Sequence, residues 1–269
     1  MLMQPRSSLA RPWLVVRGQQ ETAEFDGFRS SDSRQAADFR RTKINRRQIV
    51  SRAQWLAARK DLLARERELM SLHESVNADR RRLPMVRIYK EYTFTGPGGQ
   101  VTLPDLFDGS RELIVQHFMF SPSWDAGCPS CSASCDEISQ RVLARLRGRD
   151  TSFAVISLAP IAKIMKYKTW RGWDFAWYSS YGSDFNYDFH ATLDRRTAPV
   201  SYDFESPDEI LAAGSANDLV DAQLPVEVPG ISCFLRDGDT VFHTYSAYGP
   251  VMENVNAVSG FLELTASGG

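Results

Sequence analysis

The sequence is poor in cysteine and histidine and carries almost no net charge. Four cysteines in 269 residues are too few for a secreted disulfide scaffold, and a chain this long buries a core without staples. The cysteines and histidines include no second Cys/His pair at zinc-ligand spacing, which argues against structural zinc. A formal net charge of −1 argues against a general nucleic-acid binder. No apolar run approaches the roughly 18 residues of a membrane span, and no secretory h-region is recognisable. A cytoplasmic protein with neither a nucleic-acid nor a membrane partner is therefore expected.

The chain does have an ordinary globular composition, 43% hydrophobic and 24% charged, which excludes disorder throughout. The small net charge hides an asymmetry. Residues 1–84 carry 18 Lys+Arg against 10 Asp+Glu, and residues 85–269 carry 14 against 23. Residues 1–48 show no steady apolar period and read as a disordered extension. Arg6, Arg11 and Arg17 give the first 20 residues a faint transit-peptide character, but no clean amphipathic face supports it. Residues 49–84 read as one long N-terminal helix. Ser51 caps it, Trp55, Leu62, Leu69 and Val76 recur every seven residues, and Pro84 stops it. The stripe predicts docking on the following domain, with a helical homodimer seam as the alternative.

From residue 86 the period changes. Val86–Phe94 alternates and meets a Gly-Pro-Gly-Gly turn. Leu113–Phe120 and Ser152–Leu158 are nearly continuous apolar runs, as in strands buried on both faces. A helix between them and another over Ile161–Trp170 predict parallel strands joined by crossovers. Ile231–Leu235 and Thr240–Tyr245 flank a turn and read as a hairpin, followed by a helix over residues 251–262.

The chemistry concentrates in Cys128-Pro129-Ser130-Cys131, just past the first buried strand and opening a helix. A cysteine at a helix N-terminus has its thiolate favoured by unpaired N–H groups and the helix dipole. A second thiol three residues on can attack a mixed disulfide, so the pair fits dithiol–disulfide exchange. Cys128 is expected to be the more exposed and more acidic of the two. Cys135 lies one turn below Cys131 on the apolar face and reads as core, as does Cys233 inside a strand. Exchange requires no cofactor. The competing metal reading takes Cys131, Cys135 and His243 as copper ligands, soft thiolates with imidazole. His117 and His243 sit inside strands, where a histidine is usually a satisfied structural residue.

Residues 170–189 hold nine of the chain's 30 aromatics. They read either as a loop region pinned by large side chains or as one wall of an apolar cleft. In the cleft reading, Trp177 and Asp184 join Trp124 and Pro229 as substrate contacts. Pro229 precedes the first hairpin strand, where a thioredoxin-like layout places a cis-proline facing the cysteines.

Several segments together carry a resemblance: WLAARKDLLARERELM, LFDG, LIVQHFMF, GCPSC, GWDFAW, GSDFNYDF and RDGDTVFHTYSAY. From about residue 50 to about 264 the chain resembles a thioredoxin-like family carried as domain of unknown function 899. The resemblance implies an α/β thioredoxin-like fold over residues 85–265, a mixed sheet with flanking helices, and Cys128 and Cys131 at the active position. Cys135, Cys233 and the His190-Ala191-Thr192-Leu193 stretch depart from the family pattern. Thiol–disulfide exchange is the leading expectation. A peroxiredoxin-like peroxidase is the alternative, weakened because Asp125 stands where such sites carry Thr. The expected partners are a disulfide, peroxide or small-molecule substrate and an electron donor that the sequence does not specify.

Overall fold

The computed structural model describes residues 48–197, 200–213, 225–249, 252 and 259–267. The expectation for the extension thus lies outside the described residues, except for Gln48. Helix α1 spans Arg52–Arg82. Its start is a reciprocal cap: the Gln54 N–H donates to Ser51 Oγ at 3.3 Å, and the Ser51 N–H donates to Gln54 Oε1 at 3.0 Å. Arg80, Arg81 and Arg82 form its last turn, where the dipole favours cations. The helix is shared between two compact units, the first ending at Val76 and the second running from Asn77 to the C-terminus.

The second unit is built on a mixed sheet. Its strands are β1 (Val86–Arg87), β2 (Thr93–Gly96), β3 (Gly99–Thr102), β4 (Glu112–His117), β5 (Thr151–Ser157), β6 (Ala176–Ser179), β9 (Gly230–Asp237) and β10 (Thr240–Tyr248). A separate small ladder pairs β7 (Thr192–Leu193) with β8 (Val226–Glu227). The main sheet has the order β1-β10-β9-β4-β5-β6-β2-β3. Strands β4, β5 and β6 run parallel, while β9 and β10 form an antiparallel hairpin against β4. This is a thioredoxin-like arrangement: a parallel βαβ unit at the centre, then a hairpin on the other side of its first strand, then a helix. Between β9 and β10 the chain turns through Gly238, whose φ of +57° lies in the left-handed region that glycine tolerates.

The helices are α2 (Pro129–Asp136), α3 (Gln140–Arg147), α4 (Ile161–Arg171), α5 (Phe185–Asp188), α6 (Pro207–Ala213) and α7 (Ser259–Glu263). Three differences from the sequence reading have local causes. The single helix expected after the motif is two, because the chain breaks at Glu137–Ser139 and Ser139 Oγ caps α3 by accepting the Val142 N–H. The run Leu113–Phe120 leaves the ladder after His117, and Phe118 and Phe120 are buried from the loop beyond. The last helix is seen over Ser259–Glu263, and residues 253–258 of its expected span are outside the described residues.

Strand alternation sorts two cores onto opposite sheet faces. Ile114 of β4 and Ile231 and Cys233 of β9 join Cys128, Cys131, Cys135, Ile164, Trp177 and Phe261 in one cluster. Leu113 and Val115 of β4 and Phe234 of β9 join Tyr92, Phe94, Phe107, Phe185 and Phe189 in the other. Helices α2, α3, α4 and α7 cover the first face, and α5 with the 3-10 turn Pro104–Phe107 covers the second. Among the described residues no helix is long and apolar enough to cross a membrane.

Candidate active site

The end of β4 fixes the site. Two residues beyond it, the Met119 carbonyl accepts the Cys128 N–H at 3.0 Å, so the intervening loop closes on itself. The approach is tight at Gly127: a Cβ there would sit 2.5 and 2.8 Å from the Phe118 ring and 3.2 Å from the Tyr167 ring. The loop therefore requires glycine just before the motif.

Cys128 is the N-cap of α2, with φ −56° and ψ 132°, and Pro129 occupies the first helical turn. Proline suits that position because its missing N–H would have no intrahelical partner. The Cys128 carbonyl accepts from the Ser132 N–H at 2.9 Å and from Ser132 Oγ at 2.8 Å. Ser132 Oγ in turn lies 2.9 Å from the Tyr167 hydroxyl. With the Ser132 proton committed to that carbonyl, Tyr167 is the donor in this second bond.

The sulfur of Cys128 lies 3.0 Å from Ser130 Oγ. Hydrogen bonding from Cys131, helped by Ser130 and by the backbone N–H groups of both residues, lowers the Cys128 thiol from 9.0 to about 6 against the opposing effect of burial. Cys131 moves the opposite way: its hydrogen bond to Cys128 and its burial hold it protonated well above the ordinary range. The two thiols thus divide into a thiolate and a proton donor. Both are buried, at 4% and 5% exposure, so the expectation that Cys128 is the more exposed does not hold. The loop, Phe118 and Tyr167 cover the helix start, and acidity alone separates the pair. All four cysteines are free thiols. Cys135 and Cys233 are buried in the same core, and burial pushes both thiols up.

The copper reading is contradicted by the sheet. Cys131 and Cys135 lie on the first face, whereas the His243 ring packs on Phe189 and Phe234 of the second. Among the described residues no group of three or more His, Cys, Asp and Glu could hold a metal ion. The two strand histidines instead share a polar chain. His117 Nε2 meets Ser232 Oγ, Ser232 Oγ meets Ser246 Oγ, and Ser246 Oγ meets His243 Nε2, each at 2.8 Å. Desolvation lowers the His117 imidazole to about 3, keeping it neutral.

The four expected substrate contacts divide. Trp124 is half-buried beside the first core in the loop that leads to Cys128. Pro229 is half-buried and immediately precedes Gly230, which pairs with His117, so it lies at the same sheet end as the motif. Trp177 is corrected to a core residue: it is 1% exposed, its Nε1 donates to Ser157 Oγ at 3.0 Å, and Phe118, Tyr167, Trp173 and Phe175 surround its ring. Asp184 is also corrected. It opens α5 on the second face, in an ion pair with Lys90 at 2.8 Å, and is not brought to the dithiol.

Sequence reasoning missed the residues of α4 that touch this region. Lys163 and Tyr167 stand four apart, hence on one helix face. Lys163 Nζ donates to the Pro122 and Trp124 carbonyls at 2.7 and 2.8 Å. The i, i+4 spacing of a cation and a phenol was the available signal.

A family model described as "Bacterial protein of unknown function (DUF899)" matches residues 44–269. No curated protein sequence matches. Among solved structures, the chain is similar to peroxiredoxin Q from Xanthomonas campestris (TM-score 0.40, 11% identity, 58% of this chain and 78% of that one). It is similar to peroxidoxin BcpB from Mycobacterium tuberculosis (TM-score 0.39, 13% identity, 60% and 84% covered). It is also similar to a structure titled as a putative thiol:disulfide interchange protein DsbE from Chlorobium tepidum (TM-score 0.34, 14% identity, 64% and 92% covered).

Proposed function

The chain belongs to that bacterial family, and from the dithiol we propose that it is a thiol–disulfide oxidoreductase in which Cys128 is the nucleophile and Cys131 the resolving thiol. The observation that carries this reading is the split between the two sulfurs at one helix start, one favoured as thiolate and one held protonated. In the reductive direction the Cys128 thiolate attacks a substrate disulfide. A Cys128–substrate disulfide forms, and the other substrate sulfur leaves as a thiolate and takes up a proton. Cys131 then loses its proton and attacks the Cys128 sulfur. The second substrate thiolate leaves, and the chain holds a Cys128–Cys131 disulfide. Two electrons pass from the dithiol to the substrate, and a donor dithiol returns them. Trp124, in the loop that leads to Cys128, and Pro229, at the same sheet end, are the proposed substrate contacts.

The test is alkylation of the reduced protein by iodoacetamide across pH, read peptide by peptide. Cys128 should react first, with a rate that falls as pH drops through about 6. Cys131, Cys135 and Cys233 should stay slow, because each is held protonated. Labelling of Cys135 ahead of Cys128 would remove the assignment.

The same split fixes the proton count of the couple. Above about pH 6 the reduced pair carries one proton, and below it two, whereas the disulfide carries none. The reduction potential should therefore fall by about 30 mV per pH unit above the break and about 60 mV below it, since each proton contributes about 30 mV in a two-electron couple. Equilibration with glutathione buffers from pH 5 to 8 measures this, and a uniform slope of about 60 mV would contradict the thiolate.

A further inference from the structure

The loop that delivers Cys128 has no regular structure between the end of β4 and the start of α2. Its closing bond is the Cys128 N–H on the Met119 carbonyl, and a turn bond runs from the Trp124 N–H to the Ser121 carbonyl. Two loop carbonyls, those of Pro122 and Trp124, are held from outside by Lys163 Nζ. This lysine is unusually placed. It stands in the first turn of α4, where the helix dipole disfavours a cation. It is half-buried, and among the described residues it forms no ion pair. Its ammonium is directed to the loop. On the same helix face Tyr167 reaches the other side of the motif, donating to the Ser132 hydroxyl that itself donates to the Cys128 carbonyl. Helix α4 thus holds the chain both before and after Cys128.

We propose that Lys163 is a positioning residue for the dithiol: by holding the Pro122–Trp124 segment it keeps Cys128 at the N-cap of α2, within reach of the groups that favour its thiolate. This rests on the dithiol reading above. The ionisable groups bearing on Cys128 are Cys131 from its own helix and Tyr167 through Ser132; Lys163 acts through the loop and not as a charge on the sulfur. A side chain of similar length without donors would leave two carbonyls to water and free the segment. An arginine, with several N–H donors, can hold both.

The experiment compares Lys163→Met, Lys163→Gln and Lys163→Arg in the full chain. The readouts are Cys128 alkylation by iodoacetamide from pH 4.5 to 9 and thermal unfolding. In Lys163→Met the inflection should rise by about one unit and the rate at pH 6 fall about fivefold, and Lys163→Arg should restore most of both. Lys163→Gln, with one amide donor group, should fall between and serves if the Met variant does not fold. A folded Met or Gln variant with the wild-type inflection and rate would overturn the proposal, as would a loss in Arg equal to that in Met. Failure of the wild type to form a Cys128–Cys131 disulfide in oxidised glutathione would instead overturn the exchange reading, and the Lys163 effect on alkylation would still be measured.

Discussion

Under the proposed exchange reaction, replacing Cys131 with serine should convert turnover into a trap. The Cys128 thiolate can still attack a disulfide, but no second thiol lies on the same helix turn to release the product. Cys135 does not substitute, because it is fully buried one turn further on and burial holds its thiol protonated. A covalent adduct should therefore accumulate on Cys128, detectable as an intact mass shift and released by dithiothreitol, while catalytic turnover falls to background. Cys128→Ser should give neither adduct nor turnover. Serine is preferred to alanine at 131 because hydrogen bonding from this position is the main cause of the Cys128 acidity. Alanine should raise the Cys128 inflection from about 6 towards 9. Sustained turnover in Cys131→Ser would mean that resolution comes from elsewhere, as in a one-cysteine peroxidase.

The second large effect is on stability. Trp177→Ala should destabilise the domain by about 3–5 kcal/mol, the usual cost of removing a fully buried large aromatic side chain. The indole lies among four aromatic rings and donates to Ser157 Oγ, whose own hydroxyl is committed to the Phe118 carbonyl. Its loss opens a cavity directly beneath the loop leading to Cys128. Thermal unfolding should show the change as a midpoint lower by roughly 10 °C. Trp124→Ala, at a half-buried position, should cost far less while altering the rate with substrate. If Trp177→Ala unfolds like the wild type and only the rate with substrate changes, the residue is a ligand contact and not core.

The central fold was legible because its strands carry nearly continuous apolar runs and its motif follows one of them. Leu113–His117 and Ser152–Ser157 are buried at every position, so a simple run of apolar residues located them. Pro129 also fits a helix start, since proline favours the first helical position. The aromatic segment was ambiguous for a physical reason. Composition cannot tell a wall facing solvent from one facing a sheet, and only the pairing of β6 with β5 decides that Trp177 faces inward. The two histidines were hard for a related reason. His243 has its partner Ser246 three residues on, but Ser232, which links that pair to His117, is distant from His117 in sequence and reaches it only when the hairpin folds against β4. Asp184 misled because an acidic residue next to aromatics looks the same on either face of a sheet.

The chain of hydroxyls and imidazoles on the second face joins three strands: His117 on β4, Ser232 on β9, and Ser246 and His243 on β10. Backbone ladders alone permit neighbouring strands to slide, and a slip of one residue turns every side chain to the other face. Here a slip would also part the two side-chain bonds that cross between strands, His117 to Ser232 and Ser232 to Ser246, in a water-poor interior. Beside them Gly230 fixes the height: a Cβ there would meet the Tyr248 ring at 2.7 Å, so only this residue can sit opposite His117. The polar chain therefore acts as a dowel through the sheet. It locks β4, the strand that leads through Met119 to Cys128, in register with the hairpin, and the approach to the sulfur on one face is held by a fastening on the other.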